Sequence, residues 1–533
     1  MRTALCLLLC LLASCVLFTQ GLAHDAHYAP ALGVPWVTID AVFFPVIVYP
    51  PWRGMVWAWR WGQWTMLQWP LIFSGLVGFA LVARYWRDTR QANRTNGARW
   101  STGRELRRLG LFATHGVVLG AYRGQVVRHS NPAHTLVVAS TQSGKSTGVI
   151  IPTLFDWPGS IIVHDPKGEL EPITRGYRAS MSTVMSLRAT EAVSPSHYNP
   201  LDAIRLGTPY AYRDMHLIAS MLSDPDGDGY RTEAAQHFGP LAEVVLVGLI
   251  EWGVTTGRAA TLGGCHRTLA GSIDELLSAL ASTPASTLLT DMGDRERGAL
   301  LSTARRGLAL WADPLIDALT STSDFRLDDL RNGARPLTLY CGIPFGDQER
   351  LVPLSRLLLR QWLDGAVQAG KRARYPLLAA IDELPALGRL PILAHILDYG
   401  AGEGVTALYC TPSLNRLLAL YGPHQNFLEE ARYCLIMGMN DPEVAQRFAR
   451  YGGMTHPKRV RTSTTRSRQG RSTTSSEETD RVPLITDADL LHPPPQESLL
   501  LIGGAYPVRL RKRPYYTVRA YRHRAALKEP PHG

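Results

Sequence analysis

The 533-residue chain predicts an α/β fold: a mostly parallel sheet, an all-α insertion within it, and apolar segments ahead of it. Three observations predict this. Short apolar runs at Thr135–Ala139, Ser160–His164, Pro336–Cys341, Leu377–Ile381, Val405–Cys410, Cys434–Met437 and Ser498–Ile502 read as strands. Most are near-continuously apolar, as strands buried on both faces of a parallel sheet must be, and helical patterns lie between several of them. From about 180 to 330 strand signals are few, and His216–Leu222, Ala234–Trp252, Ser272–Leu280 and Ala299–Trp311 carry helical periodicity. Finally, two apolar blocks precede residue 84.

The first block runs from about 4 to 22 and the second from about 66 to 83. Arg84, Arg87, Arg90, Arg94 and Arg99 follow the second, and positive charge beside a span marks the cytoplasmic side. Trp57, Trp59, Trp61, Trp64 and Trp69 precede it and Trp86 follows it, which reads as an interfacial aromatic belt. Residues 1–83 are thus expected to form a membrane anchor: the first apolar segment, a periplasmic loop over about 24–65, and a transmembrane helix. The first segment has three readings: a retained helix, a signal peptide cleaved near Gly21-Leu22-Ala23, or a lipoprotein box at Leu12-Ala13-Ser14-Cys15. All three leave the chain from Arg84 on in the cytoplasm.

Two motifs carry chemistry. Ala139-Ser140-Thr141-Gln142-Ser143-Gly144-Lys145-Ser146, continued by Thr147, follows the run Thr135–Val138. A tight loop whose N–H groups converge as it opens into a helix suits a triphosphate, which needs many donors at once. Gly144 lets the backbone approach, Lys145 reaches the β and γ oxygens, and the Ser146 hydroxyl ligates magnesium. The strict pattern begins with Gly; Ala139 tolerates a left-handed turn less well. Far downstream, Leu377–Ile381 ends in Asp382-Glu383. Asp382 would hold the magnesium shell and Glu383 would activate water as general base. The gap between Lys145 and Asp382 requires an insertion. The expected layout is a nucleotide-binding domain over 84–180 and 331–520, an all-α domain over 181–330, and a soluble tail over 521–533.

Apolar residues make up 45% of the chain and the formal charge is +11, which favours an anionic partner, nucleic acid or a phospholipid surface. Residues 451–533 hold 15 Lys+Arg against 7 Asp+Glu. Within them Lys458–Thr479 is rich in Arg, Ser and Thr and reads as a mobile segment, either a solvated loop or a DNA-contacting or membrane-proximal strip. Tyr515-Tyr516 beside Arg511-Lys512-Arg513 could stack on bases. Cys6, Cys10 and Cys15 lie in the first apolar segment, and Cys265, Cys341, Cys410 and Cys434 are scattered singly. That spacing argues against a zinc site or disulfide framework and for buried thiols in a reducing compartment.

Several stretches carry a resemblance: Ile151-Pro152-Thr153-Leu154, His164-Asp165-Pro166-Lys167-Gly168-Glu169-Leu170, and Ile381-Asp382-Glu383-Leu384-Pro385-Ala386-Leu387-Gly388-Arg389-Leu390-Pro391. With the loop and the N-terminal segments, they resemble the TraG-type conjugative coupling proteins, membrane ATPases of type IV secretion systems. The resemblance spans most of the chain, and Ala at the first loop position is common in that family. It implies a RecA-like P-loop core related to FtsK-type DNA pumps, using ATP and Mg2+. It further implies a homo-hexamer at the bacterial inner membrane that hands DNA, single-stranded and bound by a relaxase, to the secretion channel. By the same likeness Asp165 to Glu169 would lie beside the nucleotide. One departure stands out. The family reads Gln-Ser-Leu-x-Gln after the next strand, its first Gln sensing the γ-phosphate, where this chain reads Pro412-Ser413-Leu414-Asn415-Arg416. Thr411 or a neighbouring subunit would then have to supply the contact. Arg297, Arg305 and Arg306 are candidates for an arginine acting across a subunit interface.

These readings leave four functions: a DNA-pumping coupling ATPase, a coupling protein for protein effectors, a membrane docking scaffold that binds nucleotide with little turnover, and a chromosome-segregation or packaging pump. The Asp382–Gly388 signature and the periplasmic loop weigh against the last.

Overall fold

The computed structural model describes residues 15–40, 45–62, 97–227, 229–230, 232–342, 345–422, 427–456, 458–467, 470–479 and 481–528. The chain divides into two compact units, Met1–Gly97 and Ala98–Gly533.

In the first unit, residues 15–25 are helical, Val37–Asp40 pairs antiparallel with Pro45–Val48, and Arg53–Arg60 forms a helix. Leu22, Ala23, Leu32, Tyr49 and Trp57 make a small core. Within the expected aromatic belt, the Trp57 indole packs edge-on to Tyr49, while Trp59 stays 70% exposed. The segment expected as a periplasmic loop thus contains a hairpin and a helix. The expected span 66–83, Trp64, Trp69, Trp86, the arginines from 84 to 94 and the first 14 residues lie outside the described residues.

The second unit is built on eleven strands: β1 (Val117–Tyr122), β2 (Gln125–His129), β3 (Thr135–Val138), β4 (Ser160–Asp165), β5 (Thr183–Arg188), β6 (Leu337–Gly342), β7 (Leu377–Ile381), β8 (Val405–Thr411), β9 (Tyr433–Ile436), β10 (Glu497–Ile502) and β11 (Val508–Arg511). Their order across the sheet is β2-β1-β11-β10-β9-β3-β8-β7-β4-β6-β5. From β9 to β5 the pairings are parallel. From β9 outward through β10, β11, β1 and β2 they are antiparallel. Every residue of β3, β4, β7, β8 and β9 is buried, so these strands read as unbroken apolar runs. The sheet splits the core into two layers, one around Leu136, Ile162 and Ala379 and the other around Val137, Val163 and Leu378. Neighbouring residues along a strand point to opposite faces.

Between Ala211 and Asn332 the chain is helical. Its longest helix, Glu233–Thr256, starts on a Thr232 side-chain cap and stops at left-handed Gly257. Among the described residues it alone is long and apolar enough to cross a membrane, and half of its most apolar window is buried inside the protein. The helical segment begins later than the expected 181, because Thr183–Arg188 pairs with β6 as the sheet edge. Partial burial of that edge strand weakens its apolar signal.

Two other expectations change. Lys458–Ser467 and Gly470–Thr479 form an antiparallel hairpin, with Lys458 opposite Thr479 and Ser467 opposite Gly470. Threonine-rich sequence favours an extended backbone, which composition alone reads as mobility. The expected tail from 521 is not free either. Helix Arg519–Ala525 buries Tyr521, whose hydroxyl donates to Asp156 at 2.5 Å. Arg524 and Arg128 reach the same carboxylate at 2.7 and 3.0 Å. Asp156 ends the helix Ile151–Asp156, so the C-terminal helix is fastened to the element that follows the phosphate loop.

Candidate functional site

Strand β3 delivers the loop 139–145, and a π-turn at Ser146–Ile150 leads into helix Ile151–Asp156, with Pro152 in its first turn, where a missing N–H costs nothing. The loop is pinned at its start: the Ala139 N–H donates to the Thr411 carbonyl and the Ser140 N–H to the Gly438 carbonyl, both at 3.0 Å. Left-handed backbone falls at Gln142 (φ 61°) and Gly144 (φ 87°), and Ala139 is not among the positive-φ residues. An alanine at the first position therefore carries no backbone strain, and the strained non-glycine is Gln142. A Cβ on Gly144 would meet only the Thr147 hydroxyl, at 3.6 Å, so backbone conformation rather than space requires glycine there.

The sheet brings the distant motifs together. Strand β7 ends at Ile381, and the Lys145 ammonium reaches across β8 to the next residue. It donates to the Asp382 carbonyl at 2.7 Å and lies 2.9 Å from carboxylate Oδ1. That oxygen has no hydrogen bond of good geometry, so the contact is an ion pair. Burial works against the Lys145 charge, yet its pKa is raised, because the acidic groups around it, Cys410, Asp382 and Glu383, outweigh that loss. His164, level with Ile381 on neighbouring β4, is fully buried, and burial pushes it down to about 4, so it is neutral at pH 7. Its Nδ1 and the Ser143 hydroxyl are buried without hydrogen-bond partners. Buried polar groups are normally satisfied, and orphaned ones beside a phosphate loop suit a site that receives a polar ligand.

Glu383 stands apart from this contact. Its Oε1 lies 4.0 Å from the guanidinium of Arg416, which projects from helix Leu414–Tyr421 just past β8 and is 65% exposed. The structure gives no contact between Ser146 or Thr147 and Asp382; Thr147 bonds back to the Gly144 carbonyl at 3.3 Å. Thr141 and Gln142 are exposed at the loop tip. Asp165, expected beside the nucleotide, ends β4 and bonds to the chain that follows. Its carboxylate accepts from the N–H groups of Glu169, Leu170 and Glu171 at 3.2, 2.7 and 3.2 Å and caps helix Leu170–Met181. Burial raises its pKa against those bonds. Pro166 and left-handed Gly168 make the turn that allows this, so Asp165 fixes the start of the helix.

At the end of β8, the Thr411 hydroxyl donates to the Ser413 carbonyl at 2.7 Å and accepts from the Ser413 N–H at 3.3 Å. The Ser413 side chain caps the following helix. Thr411 is thus locked into its own turn and does not replace the amide that Pro412 lacks. Arg297, Arg305 and Arg306 all lie on helix Asp294–Leu308, where they bond to Asp294, the Leu269 carbonyl and Asp226 respectively. Residue-by-residue reading named Arg416, His164, Cys410 and Lys512 but did not place them at the nucleotide site. The Lys512 ammonium donates to the Met437 carbonyl at 3.1 Å, behind the loop, and burial lowers its pKa. Only Arg416 carried a signal: a cation one turn after a strand that ends beside the acidic pair.

The family model described as "Type IV secretory system Conjugative DNA transfer" matches residues 89–530. The chain is 28% identical to the conjugal transfer protein TraG of Escherichia coli, covering 96% of this chain and 91% of that protein. It is 30% identical to the protein VirD4 of Rhizobium rhizogenes, covering 80% and 66%. Its fold is similar to the bacterial conjugative coupling protein TrwB (lacking 70 N-terminal residues), with a TM-score of 0.63 at 18% identity, over 78% of this chain and 92% of that one. A TrwB structure in complex with ADP and Mg2+ aligns with a TM-score of 0.62 at 18% identity, over 78% and 94%. The mixed sheet around the phosphate loop thus has the fold of TrwB.

Proposed function

We propose, from the premise that the chain belongs to the type IV secretory system conjugative DNA transfer family, that it is an inner-membrane coupling ATPase. It recruits DNA with its bound relaxase and passes both to a type IV secretion channel during conjugative transfer. The observation that carries the nucleotide chemistry is the meeting of Lys145 with Asp382 across an intervening strand, 237 residues apart in sequence.

The residues fit a magnesium nucleotide. Ser146 and Asp382 supply oxygen donors suited to a hard cation, and the orphaned Ser143 hydroxyl lies in the loop that would cradle phosphates. Bound magnesium would neutralise charge on the phosphate oxygens. Lys145, in exchanging its Asp382 contact for phosphate oxygens, keeps an anionic partner throughout. Glu383 accepts the proton of the attacking water. Arg416 holds the Glu383 carboxylate toward the site from the side where Pro412 offers no donor. ATP hydrolysis drives translocation of single-stranded DNA by a homo-hexamer; the net charge of +11 suits the polyanion.

A second reading has a specific observation behind it. With Pro412 lacking a donor and Thr411 locked, the chain could bind nucleotide and dock cargo with little turnover. The full chain in detergent, with and without single-stranded DNA, separates the two. The motor reading expects DNA-stimulated phosphate release that Lys145→Ala and Glu383→Gln both abolish, Glu383→Gln with nucleotide binding intact. Nucleotide binding without turnover in hexameric wild type would overturn it in favour of the scaffold.

A further inference from the structure

Arg104 and Arg107, on helix Gly103–Arg108, and Arg123, at the tip of the β1–β2 hairpin, line a cavity of about 740 Å³ together with Phe112, Tyr122 and Gln125. No carboxylate lines it. Glu105, between the two helical arginines in sequence, is engaged by Arg99 at 3.0 and 2.5 Å and by the Thr102 N–H at 2.8 Å. The Arg99 guanidinium pulls it down to about 2. Among the described residues no ion pair joins Arg104, Arg107 or Arg123 to an acid. Arg107 instead lies over the Phe112 ring at 5.9 Å and Arg123 over Tyr122 at 5.5 Å. The backbone fixes this arrangement. Arg123 and Gly124 are both left-handed (φ 50° and 86°), the pattern of a tight two-residue hairpin turn. A Cβ on Gly103 would come within 3.3 Å of the Tyr122 ring, so glycine lets the ring close against the helix.

We propose that this cavity binds the head group of an anionic phospholipid. Three arginines without acidic partners around a concave space suit a single phosphate-bearing group, since guanidinium forks match phosphate oxygens and the rings hold the guanidiniums in place. Tyr and Trp rings also favour the headgroup level of a bilayer. A nucleic-acid strand would need cations repeated along a track, and three around one cavity offer a single phosphate's worth. In sequence, Gly103 follows Ala83, the end of the expected membrane span, by twenty residues. The inference rests on the inner-membrane part of the proposed function and not on nucleotide chemistry.

The full chain in neutral detergent is incubated with phosphatidylglycerol or phosphatidylcholine, and retained lipid is counted by native mass spectrometry. Wild type should prefer phosphatidylglycerol. Changing Arg107→Gln and Arg123→Gln together should weaken its retention about thirtyfold, at about 1 kcal/mol for each cation near a lipid surface. Arg107→Lys with Arg123→Lys should keep most of it, which separates lost charge from lost folding. Independently, phosphatidylglycerol should shield Arg107 and Arg123 of the wild type from phenylglyoxal. Unshielded arginines, or undiminished lipid retention by the Gln variant, would overturn the proposal. So would loss of single-stranded DNA binding with lipid retention unchanged, which would make the cavity a nucleic-acid contact. ATPase activity is expected to be the same in all these variants, so a failure here is distinct from a failure of the motor reading.

Discussion

Replacing Asp156 by alanine should release the C-terminal helix from the helix behind the phosphate loop. Its carboxylate is buried, with a side-chain exposure of 5%, and takes three donors: the Tyr521 hydroxyl, Arg524 and Arg128. Hydrogen bonds to charged groups contribute about 1.5–3 kcal/mol each, but three cannot simply be added. Removing one partner of a buried ion pair costs about 3–5 kcal/mol because the remaining charge is left uncompensated. The two arginines retain exposures of 17% and 29% and hold second acceptors, the Ala113 carbonyl at 2.8 Å and the Phe155 carbonyl at 3.1 Å. Partial compensation places the cost near the lower end, about 3 kcal/mol. The loss falls on one short helix, so it should appear as local opening before global unfolding. Amide hydrogen exchange over 518–527 should lose about a hundredfold of its protection, and trypsin should cut first at Arg519–Arg524. Asp156→Asn, which keeps an acceptor oxygen, should fall between. Protection of that helix within threefold of wild type would refute the reasoning and leave the carboxylate triad as incidental packing.

Three further outcomes are expected. Arg416→Ala should lower kcat for ATP roughly tenfold, about 1.4 kcal/mol, with KM within twofold and partial rescue by Arg416→Lys; an unchanged kcat in an active preparation removes Arg416 from the site. Gly144→Ala should cost about 1–2 kcal/mol of loop strain and weaken nucleotide-analogue binding, whereas Gln142→Gly should be near neutral, relief of the left-handed side chain being offset by a freer unfolded chain; equal analogue affinity in Gly144→Ala and wild type would count against the loop geometry. Burial holds His129, His134 and His164 at about 4, below the ordinary 6.5. The unfolded chain thus binds more protons between these values, so stability rises with pH through this window and is lost as pH falls from about 6.5 toward 4. The slope is at most about 1.4 kcal/mol per pH unit for each histidine. Urea midpoints that stay flat from pH 7 to pH 5 would contradict this.

What the sequence discloses follows from where each element lies. β3, β4, β7, β8 and β9 were readable to within a residue or two because both their faces are buried and water never enters the pattern. β11 was not, because Val508-Arg509-Leu510-Arg511 alternates buried and exposed over four residues, too short a run to stand out. β1 and β2 were missed although Arg123-Gly124 between them is a hairpin signal. The clasp of Tyr521 and Arg524 on Asp156 joins residues more than 360 positions apart, and no local pattern encodes such a pairing.

Spatial strand order was equally hidden, and it decides the chemistry. Because β8 lies between β3 and β7, its C-terminal end lies between the strands that deliver Lys145 and Asp382-Glu383. That position is where this chain places Pro412. The Thr411 hydroxyl donates within its own turn, and the Ser413 hydroxyl accepts from the Asn415 N–H as a helix cap. The first turns of helix Leu414–Tyr421 come next. There Asn415 is held by Asp441, and Arg416 points toward Glu383. The departure at Pro412 and the cation at Arg416 are thus linked by topology: one removes a donor from the strand end, and the other places one a single helical turn later.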